Sequence, residues 1–546
     1  MSRLLLGPLL RHVGEEDATV WVETDAPCTV EVLGHAERTW TVAGHHYALV
    51  TVHGLAPGSV TDYQVSLDGE VVWPPADTAY PPSRIRTLSP GREVTLAFGS
   101  CRYATPDAVG DDNHFDPDAL DAYARRVMRL PVESWPDALL LVGDQVYADE
   151  TSEATQQRIR ERRDPDQAPG LEVRDFEEYT WLYHESWSDP QVRWLLSTIP
   201  SSMIFDDHDV RDDWNTSGSW RRQMQATDWW QERIIGGLSS YWVYQHLGNL
   251  SPQGLEQETL YQKVRAHEGD AEQLLREFAT AADKEADGHK GAQWSFRRDL
   301  GPVRLLVLDS RCGRMLDGEA RSMLSEREFD WVAEQVQGDY DHLLVGTSLP
   351  WLLPRALHDV ESWDERLASG VQGRRLARWG EKARRDADLE HWAAFRRSFD
   401  WLTDLFARVG RGETSPSGRA PATICVLSGD VHHAYAARAD FPRDLDSAVY
   451  QLTCSPLHNY VPWFMKVVFR ITWWRATEKS VRFLLKRVSH VPAVPIEWRR
   501  LCGPFFGDQI ATLTLHGRSA GVRFEQTRHD PQAGPVLSAV SELTLS

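Results

Sequence analysis

The sequence predicts two parts: a small all-β N-terminal domain, then a layered α/β domain. Three observations predict this. Residues 15–70 carry short runs of alternating apolar and polar residues between Gly, Pro and Asp clusters, the pattern of half-buried strands. From residue 92, short apolar runs alternate with segments of helical period, which argues for a sheet covered by helices. The chain has 546 residues, 42% apolar and 25% charged, enough to bury a large core and too apolar for global disorder.

In the N-terminal part, ATVWVET (18–24), CTVEVL (28–33) and YALVTVH (47–53) read as strands. GLAPGSVTDYQVSLDG (54–69) sets Tyr63, Val65 and Leu67 on one strand face after a Pro-Gly turn, and resembles the L-x-P-G-x-x-x-x-Y pattern of fibronectin type III-like sandwiches. The Pro-rich stretch 78–91 reads as a linker, closing a domain over residues 1–90. The second part, 92–455, contains buried strands at VTLAFGS (94–100), ALLLVG (138–143), SMIF (202–205), VRLLVL (303–308), HLLVGT (342–347) and TICVLSG (423–429). Between them, Asp116-Pro117 reads as an N-cap and first-turn proline for a helix facing inward through Leu120, Tyr123, Ala124 and Val127. Ser325 and Glu328 have capping-box spacing, with Gly338 placed to stop that helix. Trp392, Phe395, Phe399, Leu402, Phe406 and Val409 recur at helical spacing. Residues 220–295 read as a helical insertion, 456–500 as an amphipathic helical segment, and 501–546 as strands completing the core, with a hairpin in 509–527.

Charge and cysteine usage exclude several classes. With 59 Lys+Arg against 80 Asp+Glu, the formal charge is −21, unsuited to a general nucleic-acid binder, which needs a basic footprint. The 6 cysteines are scattered without C-x-x-C, which excludes a zinc ribbon and argues against a disulfide scaffold. The N-terminus has a short apolar stretch broken by Pro8 and no run of about 18 apolar residues occurs anywhere, so a soluble, cytoplasmic protein is expected. The 23 tryptophans fall mainly in helices and insertions and read as packing around them; Trp473 and Trp474 have no assignment.

Four polar clusters directly follow buried strands: SCRYA (100–104), GDQVYADE (143–150), DDHDVRDDWN (206–215) and GDVHHAY (429–435). The crevice beyond strand carboxyl ends is where sites form in open α/β sheets. Five aspartates in positions 206–213 would repel one another without cations, and their place after an apolar strand favours metal binding over a solvated acidic face. Taken alone, Cys101 reads as an inert buried thiol, Tyr147 as a packed aromatic, and His432 and His433 as ambiguous. Their joint placement after strands favours a metal centre.

The ordered set FGSCR, GDQVYAD, FDDHDVRDDW, LDSRCGR and LSGDVHH, spanning 98–433, resembles the PhoD-like alkaline phosphatases of the calcineurin-like metallophosphatase superfamily. The resemblance implies a layered αββα sandwich behind the β-rich N-terminal domain. It implies a bridging carboxylate at Asp144, an iron site at Cys101, Tyr147 and His432, and a harder cation, calcium, at Asp207 and Asp430. Manganese, magnesium or zinc are the other metals such donors suit. It further implies two-metal hydrolysis of a small phosphoester, monoester or diester, with His208 as the catalytic histidine and a coordinated hydroxide as nucleophile. Arg102, Arg211 and Arg311 are phosphate-clamp candidates, or equally neutralise neighbouring aspartates.

No G-x-S-x-G, H-E-x-x-H or Walker A pattern occurs. Two rivals stand: an HD-type phosphohydrolase using His208-Asp209, which needs that pair on helices, and a non-catalytic binding protein on the same scaffold, which predicts a degraded ligand set. Residues 463–488 carry seven Lys/Arg against one Glu, a local charge of +6, beside an apolar stripe through Phe464, Val467, Val468, Ile471 and Trp474. This segment reads either as an interfacial helix drawn to anionic lipid or, preferred on sequence alone, as a helix docked on the catalytic domain.

Overall fold

The computed structural model describes residues 2–104, 115–289, 291–316, 321–488 and 493–546; residues 489–492 of the 456–500 segment and the side chains of Lys486 and Val488 lie outside the described residues. The N-terminal part is a sandwich of two four-stranded sheets. One has the order Leu4–Val13, Asp17–Thr24, His45–His53, Trp40–Val42; the other, His35–Arg38, Thr29–Val32, Val65–Leu67, Glu70–Trp73. Period-2 alternation sorts the faces. Val20, Val22, Val50 and Val52 point into the sandwich against Val30, Val32, Val65 and Leu67, while Trp21, Tyr47 and Leu49 point the other way, into the main core. The sandwich is thus buried on both faces of one sheet.

Two departures from the sequence reading have local causes. The first strand, Leu4–Val13, contains Pro8, which cannot donate to a ladder; the register shifts on both sides of it, where Gly7 takes φ +86°, so the proline sits in an irregularity the ladder tolerates. The stretch read as a linker contains strand Arg84–Arg86, paired with Val60–Asp62 around the buried Ile85.

The α/β part is built on two mixed sheets. In the first, Ser201–Ile204, Ala138–Val142 and Val94–Gly99 run parallel, followed by antiparallel Gln509–His516, Ser519–Asp530 and Gly534–Thr544. The second has the order Phe296–Leu300, Val303–Leu308, His342–Thr347, Thr423–Ser428, Ala448–Thr453, Ala434–Asp440, Glu497–Phe505, with the second to fifth parallel. Leu305 and Val307 join the core that the second sheet shares with Leu96, Phe98 and Leu140 of the first; Leu306 and Leu308 face the opposite way, onto Phe399, Leu402 and Phe406 of helix Arg396–Gly410. Strands covered on both faces read as unbroken apolar runs for this reason.

The helix after the first core strand, Ala119–Arg129, is capped by Asp118, not Asp116: its carboxylate accepts from the Leu120 and Asp121 amides and also pairs with Arg102. Ser325 caps Glu326–Gln335 as expected. Trp392 occupies a single 3-10 turn ahead of Arg396–Gly410, still buried with the rest of its stripe. The insertion forms helices Gly218–Gln225, Trp230–Tyr241, Pro252–Gln257, Thr259–Ala266 and Glu272–Asp283, with Trp242 and Trp294 buried beneath them. Segment 463–488 forms Trp463–Thr472 and Arg475–Val488.

Candidate metal centre

The carboxyl ends of parallel strands from both sheets meet at one place. Val94–Gly99 delivers Cys101, Ala138–Val142 delivers Asp144, Ser201–Ile204 delivers Asp206, Asp207 and His208, and Thr423–Ser428 delivers Asp430 and His432. Tight approach requires glycine at two of these ends. A Cβ on Gly143 (φ +107°) would lie 2.7 Å from the Asp206 Cβ, and one on Gly429 would overlap the Ser100 hydroxyl. The chain then turns sharply: Cys101, Asp144, Asp430 and His432 all adopt positive φ, between 48° and 65°. Left-handed backbone at four non-glycine residues of one cluster marks a site held by its surroundings.

Cys101 Sγ lies 3.3 Å from Asp144 Oδ2. Asp144, Asp206 and Asp207 each place a carboxylate oxygen within 4.8 Å of the others, all buried; Asp207, His208 and Asp212 form a second such group that opens toward solvent. The floor of the site is therefore Cys101, Asp144, Asp206 and Asp207, and its mouth is lined by the partly exposed His208, Asp430 and His432. Asp209 carries no ligand role itself: its Oδ2 accepts the amides of Asp144 (2.9 Å) and Asp206 (2.8 Å), fixing both turns. Tyr147 packs its ring 4.8 Å from that of His208, and its hydroxyl accepts from Asn459 Nδ2 at 2.8 Å.

Electrostatics follow from packing so many acids below the surface. Burial, then neighbouring negative charge, pushes the carboxyls of Asp144 and Asp206 far up, Asp207 up, and Asp213 up to about 8. Burial likewise pushes the Cys101 thiol up to about 12 and the Tyr147 phenol well above its ordinary value. Asp430 is the exception: burial would raise it, but the His391 Nε2–H at 3.0 Å and Arg311 hold it well below the carboxylate range. Burial disfavours the His208 cation, yet Asp149, which accepts from its Nδ1 at 2.9 Å, and the acids nearby outweigh burial and raise its pKa well above the ordinary histidine value. His432 is driven by burial down to about 4, leaving a neutral imidazole of the kind metals bind.

These donors fit cations. Asp144 Oδ1, Asp206 Oδ2 and Asp213 Oδ1 are buried without a hydrogen-bond partner among the described residues, and orphaned buried carboxylate oxygens are costly unless something positive faces them. Thiol, phenol and imidazole suit a transition metal, and carboxylates suit a harder ion.

Of the sequence-predicted residues, Cys101, Asp144, Tyr147, Asp207, His208, Asp430 and His432 come together here. The arginines do not stand as a clamp. Arg102 is spent on Asp118 and on the Ser186 carbonyl and hydroxyl. Arg211 pairs with Glu172 at 3.2 Å. Arg311 is fully buried, bonded to Asp206 and Glu390 and lying 3.1 Å from Asp207 and 3.6 Å from Asp430, so it neutralises the floor. His208-Asp209 lies on a turn after a strand, against the helical placement that an HD-type site needs.

Sequence reasoning missed Asp149, Asp206 and Asp209 as individuals within their motifs, and Asn459 altogether. Asn459 follows strand Ala448–Thr453, so the same strand-end rule would have flagged it. Glu361, Glu390 and His391 come from helix and irregular backbone and carried no such signal; His391 bridges Asp430 to Glu361, its Nδ1 2.7 Å from Glu361 Oε1.

Known proteins resemble this chain in fold and in sequence. A solved structure described as that of PhoD superposes with a TM-score of 0.58 at 12% identity, covering 99% of this chain and 92% of the other. The purple acid phosphatase PPD1 from yellow lupin (Lupinus luteus) seeds superposes at 0.47, also at 12% identity, over 99% of this chain and 74% of its own. No curated protein matches the sequence significantly. Residues 1–85 match a domain of unknown function, DUF7800. Residues 114–467, well over half of the chain and including most of the site, match the family of PhoD-like phosphatases. The chain belongs to the PhoD-like phosphatase family.

Proposed function

We propose that the protein hydrolyses phosphoesters at a two-cation centre. In this reading Cys101, Tyr147 and His432 hold a transition metal such as iron, Asp207 and Asp430 a harder ion such as calcium, and Asp144 serves both. The observation that carries it is the buried triad Asp144, Asp206 and Asp207, with orphaned oxygens, beneath the partly exposed His208. When bound, the cations would supply an acidified water, with pKa about 7, and positive charge against the phosphoryl oxygens.

The chain's own residues do the remaining work. Asp149 accepts from His208 Nδ1, which fixes the ring and favours its protonated form; an Nε2–H could then donate to a leaving oxygen at the mouth. His391 holds Asp430 ionised and fixes its orientation, supported from behind by Glu361. Arg311 offsets part of the floor's negative charge so that the carboxylates can share one small volume. Tyr147 is steadied by Asn459 on one side and by the His208 ring on the other.

The test pairs elemental analysis of the purified protein with chromogenic monoester and diester assays across pH. A transition metal plus a calcium-like ion and turnover of at least one ester class are expected. Asp144→Asn and Cys101→Ala should each lose about a thousandfold or more in turnover and lose metal. Asn tolerates positive φ, so Asp144→Asn removes charge without new backbone strain. Full activity in stripped protein or in Asp144→Asn would overturn the mechanism; stoichiometric metal with no ester turnover would favour a binding protein.

A further inference from the structure

The helical pair Trp463–Thr472 and Arg475–Val488 is docked by one face only. Phe469 rests on His433 with ring centroids 4.5 Å apart, and Trp473 on Tyr435 at 5.0 Å. Arg482 reaches Asp359 at 3.0 Å, and Glu478 reaches Arg355 at 3.3 Å, both on helix Arg355–Ala368. These contacts fill one side of each helix. On the helical wheel the opposite side carries 464, 467, 468, 471 and 474, then 476, 480, 483, 484 and 487, all exposed.

That outer side is mainly apolar, with Ser480 and Arg487 among its positions on the second helix. Eight of the seventeen exposed large apolar side chains among the described residues lie between positions 463 and 484, and helix Trp463–Thr472 buries none of its residues. Trp463 is 73% exposed, Trp474 58%, Leu484 59% and Phe464 52%. Soluble monomers rarely leave so contiguous a patch uncovered. Its rim is basic: Arg470, Arg475, Lys479 and Arg487 are exposed beside it, in a chain whose overall charge is −21. Bulky aromatics with cations around them match the headgroup boundary of an anionic bilayer, aromatic rings at the interface and basic groups against lipid phosphates. No helix of the described residues is long and apolar enough to cross a membrane, so the fit is to a surface.

We propose that this helical pair attaches the protein peripherally to anionic lipid bilayers through its outer face. The attachment adjoins the metal centre. Phe469 packs on His433, beside His432, and Asn459, four residues before the first helix, holds the Tyr147 hydroxyl. A bilayer on the outer face would therefore lie one helix diameter, roughly 10 Å, from the residues that flank the site. The proposal does not depend on what the site does.

The test is flotation of the full-length protein with vesicles of phosphatidylcholine alone and with roughly a third phosphatidylglycerol. Binding to the anionic vesicles should be at least about tenfold stronger and should fall steeply as salt shortens the Debye length. Two double variants, Phe464→Ser with Trp474→Ser and Arg475→Glu with Lys479→Glu, should each abolish it while leaving the thermal unfolding midpoint unchanged, because all four side chains are exposed. Absence of binding, equal binding to both vesicle types, or binding untouched by the variants would overturn the proposal. So would a concentration-dependent dimer that the same variants dissociate and that ignores vesicles, since a second copy would then be the occupant.

Discussion

Arg311 sets how much of the centre's negative charge the polypeptide balances by itself. Its guanidinium is fully buried and faces Asp206, Asp207, Glu390 and Asp430, while Arg314 shares Glu390 at 3.0 Å. Asp309 prepares this residue: its carboxylate caps the amides of Arg311 and Cys312, at 2.8 and 2.9 Å, so the turn after strand Val303–Leu308 aims the guanidinium inward. Removing one partner of a buried ion pair leaves uncompensated charge, at about 3–5 kcal/mol. Arg311→Met is therefore expected to cost about that much, measured by denaturant unfolding of metal-free protein. Arg311→Lys should recover little, because one ammonium cannot serve carboxylates on several sides. A phosphate clamp would behave oppositely, with stability intact and turnover reduced. The contrast shows what sequence reveals about a residue. The strand-end rule located Arg311 in the site, yet its partners Glu390, from the stretch before a 3-10 turn, and Asp430 are 79 and 119 positions away. Only the closed fold decides that it serves the acids.

At the scale of elements, the N-terminal sandwich is part of the catalytic body. Arg11, fully buried, donates to the carbonyls of Tyr244 and Gln245 at 2.9 and 2.8 Å, and Trp21 packs on Tyr244 at 5.2 Å. Between them lies an acid–imidazole chain: His45 bonds Glu23 at 3.1 Å and Glu177 at 2.7 Å, and His184 bonds Glu23 at 2.7 Å. Burial works against the His45 cation, but Glu177 and Glu23 outweigh it and raise its pKa from 6.5 to about 9. The stabilisation this gives is fully present below about pH 6.5 and is lost as pH rises through about 9. Glu177, bonded by His45, falls from 4.5 to about 2, so its share is present above about pH 4.5 and lost only as pH falls through about 2. Docking of the sandwich is thus expected to loosen on the alkaline side. Hydrogen exchange of strand Asp17–Thr24 should accelerate between about pH 7 and 9 beyond the intrinsic rate, and His45→Phe should remove that extra dependence. The sandwich strands were readable because alternation is local. Their docking was not: Trp21 and Tyr47 look like ordinary alternating positions until Tyr244, some 200 residues on, supplies the surface they cover. The same limit hid Leu4–Val13, whose proline argues against a strand unless the irregularity around Gly7 is known.

For the molecule as a whole, the formal charge of −21 and the buried acids of the centre pull stability in one direction. Surface carboxylates repel one another whether or not cations are bound, so their effect cancels when metal-free and metal-loaded protein are compared at equal pH. The centre does not cancel. Burial first, and neighbouring acids second, raise Asp212 to about 7 and Asp213 to about 8 from an ordinary 3.8. A carboxyl whose folded pKa is raised favours the native state fully below its unfolded pKa and loses that contribution as pH rises through the folded value. The metal-free protein should accordingly weaken from about pH 4 to about pH 8, whereas cations bound beside these carboxyls would offset the penalty and bind better as the ligands deprotonate. Cation at a thousandfold excess over its dissociation constant adds about 4 kcal/mol on mass action alone. The expected result is a gap between the two unfolding midpoints that is small near pH 4–5 and widens to several degrees by about pH 8, measured by calorimetry on chelated and reloaded samples. Asp144→Asn should narrow that gap at pH 8 by weakening the cation's hold. A gap independent of pH, or one unchanged in Asp144→Asn, would mean that the buried carboxylates of this centre do not couple cation binding to stability.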